Sequence, residues 1–277
     1  MLRSGAMAAV EGSFEYGLSA AGREAHEDER LALLEQIYDP LSQVRRGFVQ
    51  PGWRCLEVGA GRGSQARWLA EQVGPTGEVV ATDLDTRYLE RLTEPNLRAV
   101  RHDLLSDPIE VLEPGSYDLV SARLVLFWLK DQQEAVARLV ECLRPGGWLV
   151  DEDGDWGTAG PVDPTHPLTG PHDAVYRHGA WWTDRGLNPT FGRTLPVLFE
   201  QAGLVDIRHE ARTEVLPGGS PWARWWDVGM QVVDSQLARP KFAGDSDIDA
   251  VCAPFLDPSA WVMRELLHAC WGRRPPG

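Results

Sequence analysis

Arg54-Cys55-Leu56-Glu57-Val58-Gly59-Ala60-Gly61-Arg62-Gly63, with Asp83 closing the next apolar run, decides how this chain folds. Cys55, Leu56 and Val58 suit a short buried strand, and three glycines then strip side chains from the turn that follows. Glycines there permit positive φ and let a ligand approach the backbone closely. Glu78-Val-Val-Ala-Thr-Asp83 reads as a second strand ending in a carboxylate, at the distance expected of one that grips ribose hydroxyls. Loop, helix and strand-tip acid together describe a nucleoside pocket.

The details around the loop narrow the nucleoside. A dinucleotide fingerprint needs G-x-G-x-x-G, but counted from Gly59 the last glycine falls on Ser64. Glu57, just before the first glycine, is unfavourable beside a pyrophosphate and favourable beside an ammonium or sulfonium group. The pattern Glu57-Val-Gly59-Ala-Gly61-Arg-Gly63 resembles motif I of the class I S-adenosylmethionine-dependent methyltransferases. The resemblance continues in order through Asp83, His102-Asp103-Leu104, Tyr117-Asp118-Leu119-Val120 and Leu143-Arg144-Pro145-Gly146-Gly147-Trp148-Leu149-Val150. It covers roughly residues 50–155, with a weaker pattern to about 213. The ordered set, not the glycine loop alone, carries it.

Composition agrees with a soluble enzyme. A chain of 277 residues, 43% of them apolar, can furnish a sizeable core. No apolar segment is long enough to span a bilayer, and the N-terminus lacks a signal-peptide core, so a cytoplasmic location is expected. Cys55, Cys142, Cys252 and Cys270 are scattered without C-x-x-C spacing, which favours reduced thiols over a zinc site. The net charge of −14, with no lysine- or arginine-rich run, counts against nucleic-acid substrates. A homodimer is compatible with this reading.

Residues 24–38 read as an N-terminal helix that Pro40 punctuates, with a second helix over Leu41–Phe48. After the glycine loop come a helix from Ser64 to Val73, a turn at Gly74–Gly77 and a short helix at Arg87–Leu92. Strands are expected at Leu97–His102, Tyr117–Ala122 and Trp148–Asp151, with a helix at Gln132–Leu143. Thr194–Ala202 and Val205–Thr213 supply the next helix and sixth strand, and Leu266–Gly272 an antiparallel seventh. The fold class expected is α/β, a Rossmann-like sheet of seven strands, the last antiparallel, with helices on both faces and helical lid insertions.

The domain reading assigns 1–49 to an N-terminal helical cap, 50–153 to the cofactor-binding core and 154–190 to a first lid insertion. Residues 191–216 return to the core, 217–262 form a second lid insertion, and 263–277 hold the final strand and tail. Nine of the twelve tryptophans lie from Trp148 onward, many in these insertions. They suit either a cap stabilised by buried aromatic area or a flat, partly apolar acceptor held out of water. On the second reading Trp156, Trp181, Trp182, Trp225 and Trp226 bind substrate.

The resemblance implies S-adenosyl-L-methionine as cofactor. The backbone of Gly59, Ala60 and Gly61 would meet its methionine portion, with Glu57 orienting the ammonium. Asp83 would accept from ribose hydroxyls, Leu84 would pack on adenine, and Asp103 and Leu104 would contact its edge. Asp83 and Asp103 also suit plain turn roles. Ala122 and Arg123 follow the fourth strand and would line the methionine pocket, unless Arg123 pairs with an acid below the lid. Tyr16 and Arg30 are further candidates for closing the site.

Methyl transfer needs mainly orientation and desolvation, plus a base if the acceptor is a hydroxyl. His166, His172 and His178 fall in the first insertion, and His172 and His178 are the favoured catalytic candidates. Catechol-type relatives hold magnesium with acids at the fourth and fifth strand tips, but the fourth tip here is Ser121-Ala122-Arg123. No metal is expected, and Asp153 or Asp155 would then orient substrate. The reading is methyl transfer to a small-molecule acceptor, such as a specialised metabolite, by in-line displacement. Its rivals are a cofactor-binding protein that does not methylate and, with no Tyr-x-x-x-Lys pair in its favour, a nicotinamide-dependent oxidoreductase.

Overall fold

The computed structural model describes residues 21–176, 187–236 and 246–277, and ten strands and seven helices are seen among them. The strands are β1 (Arg54–Val58), β2 (Glu78–Asp83), β3 (Leu97–Arg101), β4 (Tyr117–Arg123) and β5 (Leu143–Asp155). Then come β6 (Gly160–Pro161), β7 (Val205–Arg212), β8 (Val215–Pro217), β9 (Trp261–Met263) and β10 (Leu266–Arg273). The helices are α1 (Ala21–Arg45), α2 (Ser64–Val73), α3 (Gln132–Cys142), α4 (Thr169–Tyr176), α5 (Leu195–Gln201), α6 (Pro221–Gln236) and α7 (Ser246–Leu256).

The main sheet runs β3-β2-β1-β4-β5-β10-β7, with β1 to β5 mutually parallel and β10 antiparallel to both of its neighbours. This is the seven-stranded arrangement expected from the alternation of strands and helices. Strands covered on both faces read as continuous apolar runs because each side chain has a buried layer to enter. In β1, Cys55 packs with Ala66 and Leu69 of α2, while Leu56 and Val58 join the opposite layer. The chain leaves β1 toward β2 and β3, then returns to β4 on the other side. The strand order reverses between β1 and β4, and ligands of open α/β sheets bind in the crevice at such a point.

Three features depart from the expected elements. Pro40 lies inside a single helix, α1, rather than between two. Proline costs a helix one hydrogen bond, but contacts on both sides of it hold α1 to the body. The Tyr38 hydroxyl donates to Glu265 at 2.8 Å, and Arg45 and Arg46 both reach Glu152. β5 is also longer than expected: Leu143 pairs with Tyr117, and Asp155 with Leu266 of β10. Finally, the insertions are not wholly helical, since β6, β9 and β8 form a small antiparallel sheet beside α4, α6 and α7.

Candidate functional site

The glycine loop is built by what its neighbours would otherwise strike. Gly59 has φ 68°, and a Cβ there would stand 2.3 Å from Cγ2 of Val125, on the loop after β4. Gly61, at φ 57°, turns its amide toward Asp83 and donates to Oδ2 at 2.8 Å. Oδ1 of the same carboxylate accepts from Asp85 N at 3.0 Å. Asp83 thus ties the loop after β1 to the loop after β2. Burial pushes its pKa up, against the pull of these backbone donors.

The loop after β4 is held as firmly. Leu124 adopts φ 56°, a left-handed conformation uncommon outside glycine, and its amide donates to the Glu152 carbonyl at 2.7 Å. Phe127 N donates to Oδ2 of Asp153 at 2.9 Å, and Gly154 N to Oδ1 at 2.8 Å. Asp153 therefore braces this loop from β5.

Between these loops and α1 lies a cavity of about 340 Å³. Its wall includes Glu57, Gly59, Ala60, Gly61, Asp83, Leu84, Asp103, Leu104 and Arg123, so nine residues singled out in the sequence meet here. Arg30 of α1 lines it as well, its guanidinium 2.6 Å from Glu27. Glu57 is only 5% exposed, and its Oε2 has no hydrogen-bond partner. Burial pushes this carboxyl up to about 7; Arg46 and Arg123 pull it down, and Asp39 and Glu152 oppose them. Asp103 has a second duty: its Oδ1 caps a turn by accepting from Leu105 N at 3.0 Å and Ser106 N at 3.3 Å. Arg123 realises the alternative pairing, donating to Asp39 at 2.8 Å and Ser42 at 3.1 Å in α1.

Other candidates stand elsewhere. Ala122 is buried in the core and is not part of the cavity wall. His172 is fully buried in α4, with Nδ1 3.0 Å from Asp173 and its ring against Tyr176 and Phe255; it does not line the cavity. Trp156, Trp225 and Trp226 pack on one another and on Phe127, Tyr38 and Tyr176, in an aromatic cluster that does not reach the cavity wall. Burial among these aromatic rings accounts for that placement, and among the described residues Trp128 is the indole that does line the cavity. Asp155 pairs with Arg193 and caps Gly157 N. Tyr16, His178, Trp181 and Trp182 lie outside the described residues. Among the described residues, no three His, Cys, Asp or Glu side chains are grouped to hold a metal ion.

Sequence reasoning missed the α1 wall of Glu27, Leu31, Leu34 and Glu35, and most of the β4 loop, Leu124, Val125, Trp128, Leu129 and Lys130. The loop's place after a strand tip was a usable signal, because that is where such sheets bind ligands. Of the wall from α1, sequence reasoning named only Arg30, since the rest depends on how the helix docks.

Comparison with known proteins bears on this geometry. Residues 56–151 match the family model of a methyltransferase domain. Methyltransferase str2 of Strobilurus tenacellus is 35% identical over 106 residues, 38% of this chain and 37% of that protein. The ubiquinone/menaquinone biosynthesis C-methyltransferase UbiE of Bordetella parapertussis is 32% identical over 112 residues, 39% of this chain and 43% of that protein. The chain thus spans less than half the length of either relative. Among solved structures, a Haemonchus contortus phosphoethanolamine N-methyltransferase 2 bound to S-adenosylhomocysteine shares the fold. Its TM-score is 0.51 at 19% identity, over 90% of this chain and 53% of that one.

Proposed function

We propose, from a chain whose residues 56–151 match a methyltransferase domain, that it is a class I S-adenosylmethionine-dependent enzyme and methylates a small-molecule acceptor by in-line displacement without a metal. The observation that carries this is Glu57: a buried carboxylate with an unpartnered oxygen, in the wall of a cavity beneath a side-chain-free loop. Such an oxygen calls for a cationic donor, and an α-ammonium group supplies one. The residues present therefore fit S-adenosylmethionine, which when bound supplies a methyl group activated by its sulfonium.

The chain's own part is to bind, orient and exclude water. Glu57 receives the ammonium. Asp83, already fixed by two backbone donors, keeps lone pairs free for ribose hydroxyls. Leu84 and Leu104 offer apolar surface to the adenine, and Asp103 an acceptor beside it. Trp128 and the α1 wall line the cavity, and water kept from it strengthens each of these contacts. We assign no proton transfer to His172, whose ring is stacked inside the lid. A small acceptor is supported by the acidic chain and by relatives such as UbiE, whose name places it in quinone biosynthesis. The mass of a co-purified ligand tests the reading directly: S-adenosylmethionine or its demethylated product supports it, and a nicotinamide dinucleotide overturns it.

Glu57 makes the cofactor affinity depend on pH. Only its ionised form attracts the ammonium, so the proton must leave before binding. With the carboxyl at about 7 in the free protein, affinity is expected to peak just above that pH and to fall again where the ammonium itself deprotonates, roughly one unit or more higher. Below the carboxyl's value it should fall by about tenfold per unit. Glu57→Gln should bind weakly and flatten the profile. Calorimetric titration across this range checks it; a wild-type affinity unchanged down to about pH 5.5 would remove Glu57 from the ammonium site.

Metal independence is the expectation we draw from the β4 tip, where Arg123 places a cation beside the cavity. Hard cations want several oxygen ligands and no adjacent positive charge. Turnover of the acceptor is expected to survive a chelator. Loss of activity that magnesium restores would point to Asp151 and Asp153 instead.

A further inference from the structure

β7 ends the main sheet with one neighbour, β10. After Thr213 and Glu214 the chain continues as β8, the outer strand of the small sheet. Residues 205–217 thus form one continuous margin across both sheets. Along it only Ile207, Glu210 and Leu216 are half-buried, and the rest are exposed, with Val205 at 42% and Val215 at 46%. Open strand edges pair readily with other chains, and proteins blunt them with bulges, prolines or lysines. Here the register shift between Trp271 and Arg273, with Asp206 at φ 53°, disturbs only the start of the strand. From Arg208 to Arg212 the pairing with β10 is regular, and neither proline nor lysine interrupts residues 205–216.

The charges on this margin alternate: Asp206, Arg208, Glu210, Arg212 and Glu214 occupy successive even positions. Three acids against two arginines leave it near balance, in a chain whose net charge is −14. The alternation is self-complementary. If two copies pair antiparallel about a two-fold axis through Ala211, Glu210 faces Arg212 and Arg208 faces Glu214, while Ile207 meets Val215. An axis through an even position instead sets Glu210 against itself and Arg208 against Arg212. Opposite charges across a strand pair stabilise it and like charges oppose it, so the pattern selects one parity. Glu210 already pairs with Arg45 and, at 3.5 Å, with Arg212 of its own strand, and Glu214 pairs with Arg264; each carboxylate retains lone pairs for a further donor.

We propose that the margin 205–217 is the interface of a two-fold homodimer, in which the margin pairs antiparallel with itself about Ala211 and most of β7 lies against residues 213–217 of the second copy. An isologous contact of this kind closes on itself and uses up the β7 edge of both copies. The occupant is a second copy of this chain because the charge pattern complements its own reverse.

Charge exchange tests it. Arg208→Glu sets a new carboxylate against Glu214 on both sides of the axis, and Glu214→Arg sets a new guanidinium against Arg208. Both sites are exposed and outside the cofactor cavity, so cofactor affinity should match the wild type. Glu214 also pairs with Arg264, so circular dichroism checks that each variant is folded, and Glu214→Gln reports the loss of that in-chain pair alone. Sedimentation equilibrium should show a wild-type dimer and raise the dissociation constant about tenfold or more in each variant. Mixing the two variants should restore a heterodimer, which native mass spectrometry resolves. A wild type that stays monomeric, a dimer indifferent to both variants, or a mixture that fails to re-form would each overturn the proposal. Ala211→Pro should abolish the dimer independently of charge.

Discussion

Replacing Asp83 with alanine is expected to weaken S-adenosylmethionine binding by about 10²–10⁴-fold, at about 1.5–3 kcal/mol for each of two charge-assisted hydrogen bonds to ribose. The same change frees the Gly61 and Asp85 amides from their shared carboxylate, so loop order is lost together with ligand contact. Asp83→Asn separates the two contributions, because it keeps one acceptor oxygen and removes the charge. Calorimetric titration of folded variants measures both. An Asp83→Ala protein that binds the cofactor as tightly as the wild type would refute the assignment of this pocket.

The largest effect on stability is expected at Glu152. Both of its oxygens are taken by buried guanidiniums, Arg45 at 2.5 Å and Arg46 closer still, on α1. Burial alone pushes this carboxyl up, but the charges of Arg46 and Arg45 more than offset that and hold it at about 2. Glu152→Ala strands Arg46 in the interior, leaves Arg45 with Glu210 alone and should cost roughly 3–5 kcal/mol. That lowers the melting temperature by roughly 6–20 °C for a chain of this size. Replacing all three residues with apolar ones should cost less, since no charge is then left unpaired. The pH dependence has a definite sign. A folded pKa below the unfolded value means that the unfolded chain binds more protons between them. The stabilisation is present above about pH 4.5 and fades as pH falls toward 2. Thermal unfolding followed by circular dichroism checks both; a shift under about 2 °C in Glu152→Ala would show the triad to be energetically idle.

What could be read from the sequence was local. Gly59, Gly61 and Asp83 sit within one strand–loop–helix–strand unit, where spacing alone carries the chemistry, and Glu57 declared its charge preference by adjacency. The central strands were legible because covered strands are apolar throughout, whereas β3 and β7 at the sheet's edges carry charges and are half-buried or exposed. Pro40 misled, since the rule that proline ends a helix ignores the buried anchors on either side of it. β6, β8 and β9 are two or three residues long and pair across long stretches of chain, so no periodicity announces them. The brace from Asp153 to Phe127 and the clasp of Arg45 and Arg46 on Glu152 join residues 26 and about 106 positions apart. Sequence reasoning named Asp153 but not its partner, and had no means of pairing Glu152. The indoles were conspicuous as composition, yet hydrophobicity alone does not tell a lid's core from its binding face.

The docking of α1 has a thermodynamic corollary. Its C-terminal half is clasped to the sheet, its N-terminal half forms a wall of the cavity, and Pro40 removes a hydrogen bond between them. Any molecule that contacts both the glycine loop and this wall binds the docked helix and not the detached one. Linkage then makes occupancy and helix order a single equilibrium: at a ligand concentration a hundred times its dissociation constant, about 2.7 kcal/mol accrues to the docked state. The helix is therefore most secure when the protein is loaded, and its first half is the segment through which loading and local unfolding oppose one another.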